Sequence, residues 1–377
     1  MIKLDINKYF NSKTFNIDNV TYYDIKEKKH IKVLSMNKAQ LKRICLDYGF
    51  TSFLSNSNSQ LKLSKNLKEL NIHTIGISVL PHSLFNKEFD NNMLSKDIIN
   101  YLCKSLNIPY NVIMNEKIII DLCINASKDC RINCISVTGK GMFNSVYNAR
   151  LRRKELLYHN PILFIAMYIR YSLLELEYCL KHKKLLSNRF NILSDINIEN
   201  IDIIYNNEKI KLAKLLYNIC QLSITKDMKL EFDLKPYDYT KDYNRIELDY
   251  YKLVYSVNSY DNEKTLKAIN NGMSLAMVFD ITNPNIPLPK TYKVNGIELK
   301  VIDTDKIDYL PLVKEQVIHG LRFKTNKLDN KEKRIAKMTR RDSDIEAKNN
   351  GMDLRSKPYK NKKKYTRKIK HDARRNF

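Results

Sequence analysis

From Lys117 to Lys324 the chain alternates short β-rich runs with helix-length segments, and no other feature restricts its fold as tightly. Six runs read as strands: KIIIDL (117–122), RFNILSD (189–195), LEFDLKPY (230–237), YKLVYSVN (251–258), SLAMVFDI (274–281) and VIHGLRFK (317–324). Each is dense in β-branched, aromatic and other apolar residues, as short buried strands are. Segments 143–155, 161–185, 208–222 and 263–271 read as helices, the last stopped by Gly272. Strands separated by helices pair in parallel through right-handed crossovers. The expected fold class is therefore α/β, a partial (β/α)6 TIM-like barrel, with a doubly wound sheet as the alternative. The third crossover, DYTKDYNRIELD, is short for a helix, and YKVNGIELKVID reads as a hairpin turning on Asn295-Gly296.

Before this region, residues 1–60 read as a small α+β extension whose clear element is MNKAQLKRICLDYGF, a helix capped by Asn37 and stopped by Gly49. LNIHTIGISVLPHS contains a strand ended by Pro81, and residues 93–108 look helical before a turn at NIPYN. The domain of interest is 61–324, with an insertion near 83–116. After Lys324 apolar periodicity stops: residues 325–377 carry 19 Lys and Arg against 7 Asp and Glu, hence +12 of the chain's +25. That reads as a disordered basic tail suited to nucleic acid, with Lys362, Lys363, Lys364, Arg367, Lys368, Arg374 and Arg375 as the contact residues. PILFIAMYIRYSLLELEYCL is interrupted by Arg170, Glu175 and Glu177, which argues against a membrane span. MIKLDINKYF lacks the apolar core of a secretion signal, so the seven cysteines are expected in a reducing compartment, the cytosol.

The polar residues cluster where strands end. CINASKDC follows the first run, LSD closes the second, DYTKD follows the third, NSYDN the fourth, DITNPN the fifth, and HGLRFKT ends the sixth. In parallel α/β folds those ends face one surface, where ligands bind. Cys123, Cys130 and Cys134, spaced C-x6-C-x3-C, can converge on one metal, with Lys128 and Arg131 favouring the thiolate. Zinc would need a fourth ligand, His159 or His182 being candidates, whereas a four-iron cluster could leave one iron open. Cys45, Cys103, Cys179 and Cys220 lie in helical contexts and read as core. Asn191, Ser194 and Asp195, then Tyr239 and Lys241, then Asn258, and finally His319 and Arg322 are the remaining candidate ligand contacts. TGKGMFNSVYNARLRRK matches neither the Walker loop nor the dinucleotide fingerprint, and its Arg150, Arg152, Arg153 and Lys154 suit an anion or a solvated face.

These blocks in this order, C-x6-C-x3-C, GKGMFNSVYNARLRRK, RFNILSDI, YDYTK, VNSYDNEKTLKAINNGMSLAMVFD, VIDTDKIDY and HGLRFK, resemble the phage Gene product 88 family. The likeness spans about Leu61 to Lys324 and implies a phage or mobile-element protein without assigning a reaction. Relatives usually place Pro after the first cysteine and often Tyr-Ala after the third, where this chain has Ile124 and Ile135-Ser136. A looser likeness is to radical S-adenosylmethionine enzymes, whose C-x3-C-x2-C spacing is not matched. Together these imply an enzyme whose three cysteines hold a [4Fe-4S] cluster open to S-adenosylmethionine, with the candidate contacts around that cofactor. The alternatives are a non-enzymatic nucleic-acid-binding protein with a structural zinc or no metal, and a virion-packaged protein.

Overall fold

A strand buried on both faces shows no alternation, and two central strands of this chain are of that kind: Ile72–Ile77 and Leu185–Asn191 are buried at every position. The computed structural model describes residues 2–59, 61–81, 94–116, 118–127, 130–131, 134, 143–257, 262–305 and 307–322. Contacts group residues 1–323 in one unit and 324–377 in another. The tail, with its seven named basic residues, and Asn258 lie outside the described residues.

In chain order the strands are β1 (Ile2–Asp5), β2 (Thr14–Asn16), β3 (Thr21–Asp24), β4 (Lys29–Lys32), β5 (Ser55–Asn56), β6 (Ile72–Ile77), β7 (Ile118–Asp121), β8 (Leu185–Asn191), β9 (Asp202–Tyr205), β10 (Glu208–Lys211), β11 (Tyr237–Thr240), β12 (Lys252–Ser256), β13 (Ser274–Phe279), β14 (Thr291–Val294), β15 (Ile297–Asp303) and β16 (Ile318–Arg322). The largest sheet runs β11-β12-β13-β16-β15-β14, all parallel except the final hairpin. Asn295 and Gly296 turn that hairpin with φ of 50° and 85°, the left-handed pair expected of Asn-Gly. β6 pairs in parallel with β8, β1 with β7, and β2 with β9, so the first sixteen residues are woven into the same core as the rest. Where β6 meets β8, a Cβ on Gly76 would lie 1.9 Å from the Arg189 carbonyl, so only glycine allows that approach.

Helices fill the layers around these sheets. Pro161–Lys181 is apolar on most of its circumference and buried over most of its length, with Asn160 capping its first turn and Pro161 at its first position. Asn144–His159 precedes it, and Leu212–Gln221 and Asn262–Asn270 cover the later strands. The second of these confirms the stop at Gly272, which takes φ +79°. Lys38–Asp47 starts in a full capping box, Asn37 with Gln40.

The barrel expectation is corrected. Among the described residues the strands form several separate sheets, and no closed barrel is found. One physical cause is local: β8 and β11 run side by side, but the Asn191 amide donates to the Asp238 carboxylate at 2.9 Å instead of to a strand carbonyl. A second is the antiparallel β14–β15 hairpin, which ends the large sheet at an edge. LEFDLKPY is not a strand either; the chain enters β11 only at Tyr237, after Pro236. Segment 208–222 begins as β10 before turning helical at Leu212.

Candidate functional site

The ends of β7, β8, β11 and β12 meet, and hydrogen bonds hold them together. Leu122 donates its amide to the Pro81 carbonyl (2.8 Å) and receives the Asp195 amide on its own carbonyl (2.7 Å). The Cys123 thiol reaches the Leu193 carbonyl at 3.4 Å. Asp195 Oδ2 accepts from the Thr240 hydroxyl (3.1 Å) and the Lys241 amide (2.8 Å), while the Lys241 ammonium donates to the Ser256 carbonyl at 2.7 Å. Three of the polar clusters singled out in the sequence, CINASKDC, LSD and DYTKD, thus converge, while residues 258–261 of NSYDN lie outside the described residues.

A single guanidinium folds the cysteine loop. Arg131 pairs with Asp121 at 2.5 Å and donates to the carbonyls of Ala126 and Cys123, each at 3.1 Å. Asp121 also accepts the Cys123 amide (2.9 Å), and Ser127 accepts the Cys130 amide (3.1 Å). The three thiols lie within electrostatic range of one another: burial, then Asp195, Asp121, Cys134 and Cys130, push the Cys123 thiol well above its ordinary value. At Cys130 burial again wins, although Lys241 and Arg131 pull the other way. The expected stabilisation of thiolate by Arg131 is therefore present but outweighed, and Lys128 lies outside the described residues. Among the described residues no disulfide is formed, and no set of three His, Cys, Asp or Glu side chains is already arranged as metal ligands.

Cations approach from the helix Asn144–His159. Lys154 is buried, and burial, opposed by Asp121 and Cys123, brings its ammonium down to about 8. Arg150 feels Cys134 across the same space. Arg153 is buried too, donating to the Ser52 and Ser78 carbonyls, so of the four basic residues only Arg152 is exposed, paired with Glu155. A solvated face describes that one residue.

The other candidates divide. Asn191 is saturated: its amide side chain donates to Ile196 O (2.8 Å) and Asp238 (3.0 Å), and accepts from Ser194 Oγ (2.8 Å) and the Ile196 amide (2.9 Å). Tyr239 donates to Asp308 (2.9 Å), with Arg189 stacked 4.7 Å over its ring. Arg322 is held by Asp303 (2.8 Å), Asp305 (3.3 Å) and the Ile286 carbonyl (3.0 Å). His319 is buried on β16 with no hydrogen-bond partner on either ring nitrogen. His159 meets the Tyr48 hydroxyl at 3.2 Å and His182 packs 4.5 Å from the Tyr178 ring, so each proposed fourth ligand has another role. Cys45, Cys179 and Cys220 are core, as expected, while Cys103 is half-buried.

Sequence reasoning missed Arg245. Its guanidinium takes both Glu199 oxygens (2.8 and 2.7 Å) and Asp195 Oδ1 (2.7 Å), completing a buried carboxylate layer beneath the strand ends. It sits in DYTKDYNRIELD, the segment that was too short for a helix, and that shortness was the available signal.

A family model described as Gene product 88 matches residues 73–341. No curated protein and no solved structure matches the chain significantly.

Proposed function

Since the chain belongs to the Gene product 88 family of phage proteins, we propose that it is a metal-thiolate protein whose Cys123, Cys130 and Cys134 hold an iron–sulfur centre at the strand ends. The observation that carries this reading is the grouping of three thiols on one loop while the carboxylates beside them are committed elsewhere. Asp121 serves Arg131 and the Cys123 amide, and Asp195 serves Arg245, Thr240 and Lys241. Tetrahedral structural zinc asks for four protein ligands; a [4Fe-4S] cluster with three leaves one iron for a small ligand. S-adenosylmethionine is the candidate for that position, and zinc is the competing metal. When bound, the cluster would supply electrons or a Lewis-acidic iron. The chain's own part is to group the thiols through Arg131 and to offer Lys241 to an anionic part of the ligand.

Anaerobic purification tests this. The expected product is brown, with about four irons and four sulfides per chain, both lost in Cys130→Ala. Stoichiometric zinc in a colourless protein would overturn the iron assignment, and a metal content unchanged by Cys130→Ala would overturn the site.

A second reading rests on charge. Residues 325–377 hold +12 of the net +25, and we propose that they bind nucleic acid, acting in the host cytoplasm. No helix among the described residues is long and apolar enough to cross a membrane. Removing residues 325–377 should abolish binding to a DNA or RNA duplex and its steep salt dependence; equal binding by the shortened chain refutes this role.

A further inference from the structure

The tail holds +12 of the chain's +25, which leaves +13 on residues 1–324. Part of that excess is displayed on the β3–β4 hairpin. Residues directly opposite in an antiparallel pair share a face: Tyr22 with Ile31 and Asp24 with Lys29 form one, Thr21 with Lys32 and Tyr23 with His30 the other. Tyr22 and Ile31 pack on the core, so the second face looks outward, and Tyr23, His30 and Lys32 are all exposed on it.

The hairpin sorts its charges. Asp24 is buried and accepts from Arg43 Nε (2.9 Å) of the helix Lys38–Asp47, while Glu27 accepts from Gln40 (2.8 Å) and Arg43 (3.0 Å) of the same helix. Lys29 pairs with Glu27 at 3.3 Å. Both carboxylates are thus committed, and Lys26, Lys28 and Lys32 stay exposed at the tip and on the outer face.

Two apolar groups stand among these cations. Ile25, at the tip, is 72 % exposed, the highest value for a large apolar side chain among the described residues, and Tyr23 is 47 % exposed. His30 meets the Tyr23 ring edge to face, centroids 5.2 Å apart, which holds the ring without covering it. An aromatic face flanked by cations suits a single strand, whose phosphates meet the ammonium groups while an unstacked base lies on the ring. A duplex keeps its base faces stacked on one another and offers the ring nothing.

We propose that the β3–β4 hairpin binds single-stranded nucleic acid: a base stacks on Tyr23, Ile25 packs beside it, and Lys26, Lys28 and Lys32 take the flanking phosphates. The contact is separate from the tail, whose charge acts on duplex phosphates. It also precedes residue 73, where the family match begins.

The chain contains no tryptophan, so Tyr23→Trp in the full-length protein places a single indole at the site. Single-stranded oligothymidylate should quench its fluorescence saturably, and duplex DNA of the same length should not. Anisotropy titrations with labelled oligothymidylate at raised salt, which weakens the tail's contribution, give the second readout. Tyr23→Ala should bind about tenfold less tightly and Tyr23→Phe like wild type, with duplex binding equal in all three. Quenching by duplex as strong as by single strand, or unchanged single-strand affinity in Tyr23→Ala, overturns the proposal and leaves the tail's role standing. So does an indole that responds to phosphatidylserine vesicles and not to oligothymidylate. Failure of wild type to bind duplex would refute the tail's role alone, since quenching by the single strand does not depend on it. The Trp and Phe variants keep a ring against His30, so neither readout rests on a weakened fold.

Discussion

Two neighbouring regions at the same strand ends are built on opposite terms. In the carboxylate layer each acceptor is used: Arg245 covers Glu199 and half of Asp195, Thr240 and Lys241 take the other half, and Asp238 receives Asn191 and the Tyr251 hydroxyl. No carboxylate oxygen there is left without a donor. In the cysteine loop a single arginine satisfies the backbone, yet burial works against charge on Cys123 and Cys130, and at Cys123 the carboxylates of Asp195 and Asp121 add to it. The first region is finished by the chain itself, and the second is the one to which the proposed metal centre is assigned. Completeness, more than residue type, separates scaffold from site.

The sharpest way to break this contrast is Arg245→Ala. It strands Asp195 and Glu199 as buried, unpaired carboxylates, and breaking such a pair from one side costs about 3–5 kcal/mol. Urea unfolding that shifts by less than a third of that would mean the layer is hydrated and not finished at all.

Next in size is a pair of opposed pH effects. Burial raises Asp238 from 3.8 to about 6 in the folded chain, so its contribution is full below the unfolded value and is lost as pH rises through the folded one. Burial lowers His319 from 6.5 to about 3, so its contribution is present above the unfolded value and is lost as pH falls. Between about pH 4 and 6 each group contributes a slope of about 1.4 kcal/mol per pH unit, of opposite sign. Against wild type, Asp238→Asn should make stability climb more steeply with pH, and His319→Gln should make it decline. Parallel curves for both variants across that window would remove the two groups from the account.

A smaller effect tests whether His319 belongs to the scaffold. Both ring nitrogens lack partners at 2 % exposure, so His319→Leu should stabilise the chain by about 1 kcal/mol. A destabilised variant would show that unseen water completes the imidazole. Smallest on the stability scale is Cys130→Ala in metal-free protein, expected within about 1 kcal/mol of wild type, although the same change empties the proposed centre. A large loss would move the cysteine loop to the scaffold side.

What the sequence disclosed follows the range of the forces involved. The hairpin at Asn295-Gly296, the cap at Asn37 and the stop at Gly272 depend on a few adjacent residues, and all three are found. SLAMVFDI, YKLVYSVN and VIHGLRFK were legible because apolar density marks a buried strand. LLSNRFN was entered four residues late, since Ser187 and Asn188 are polar yet fully buried through bonds to Lys235 O and to Tyr168 and Cys220. LEFDLKPY alternates like a strand, but its ladder with β12 begins only at Tyr237. Whether a series of parallel strands closes depends on contacts between distant segments, and local pattern is silent there. For the site, the strand-end clusters were visible as polar punctuation, whereas Arg245 and Glu199 were not, because their meaning lies in a partner 46 residues away.

The pairing of β1 with β7 has a consequence for synthesis. Ile2 aligns with Ile118, so β1 must wait for a partner 116 residues behind it. At roughly 5–20 residues per second that is on the order of ten seconds on the ribosome. Once β7 emerges, its edge can be claimed at once by a strand already outside, fixing the segment that leads into Cys123 before most of the large sheet has been translated. The order of emergence thus gives the cysteine loop its anchor early, and a substitution that weakens the β1–β7 pairing would tax that step first.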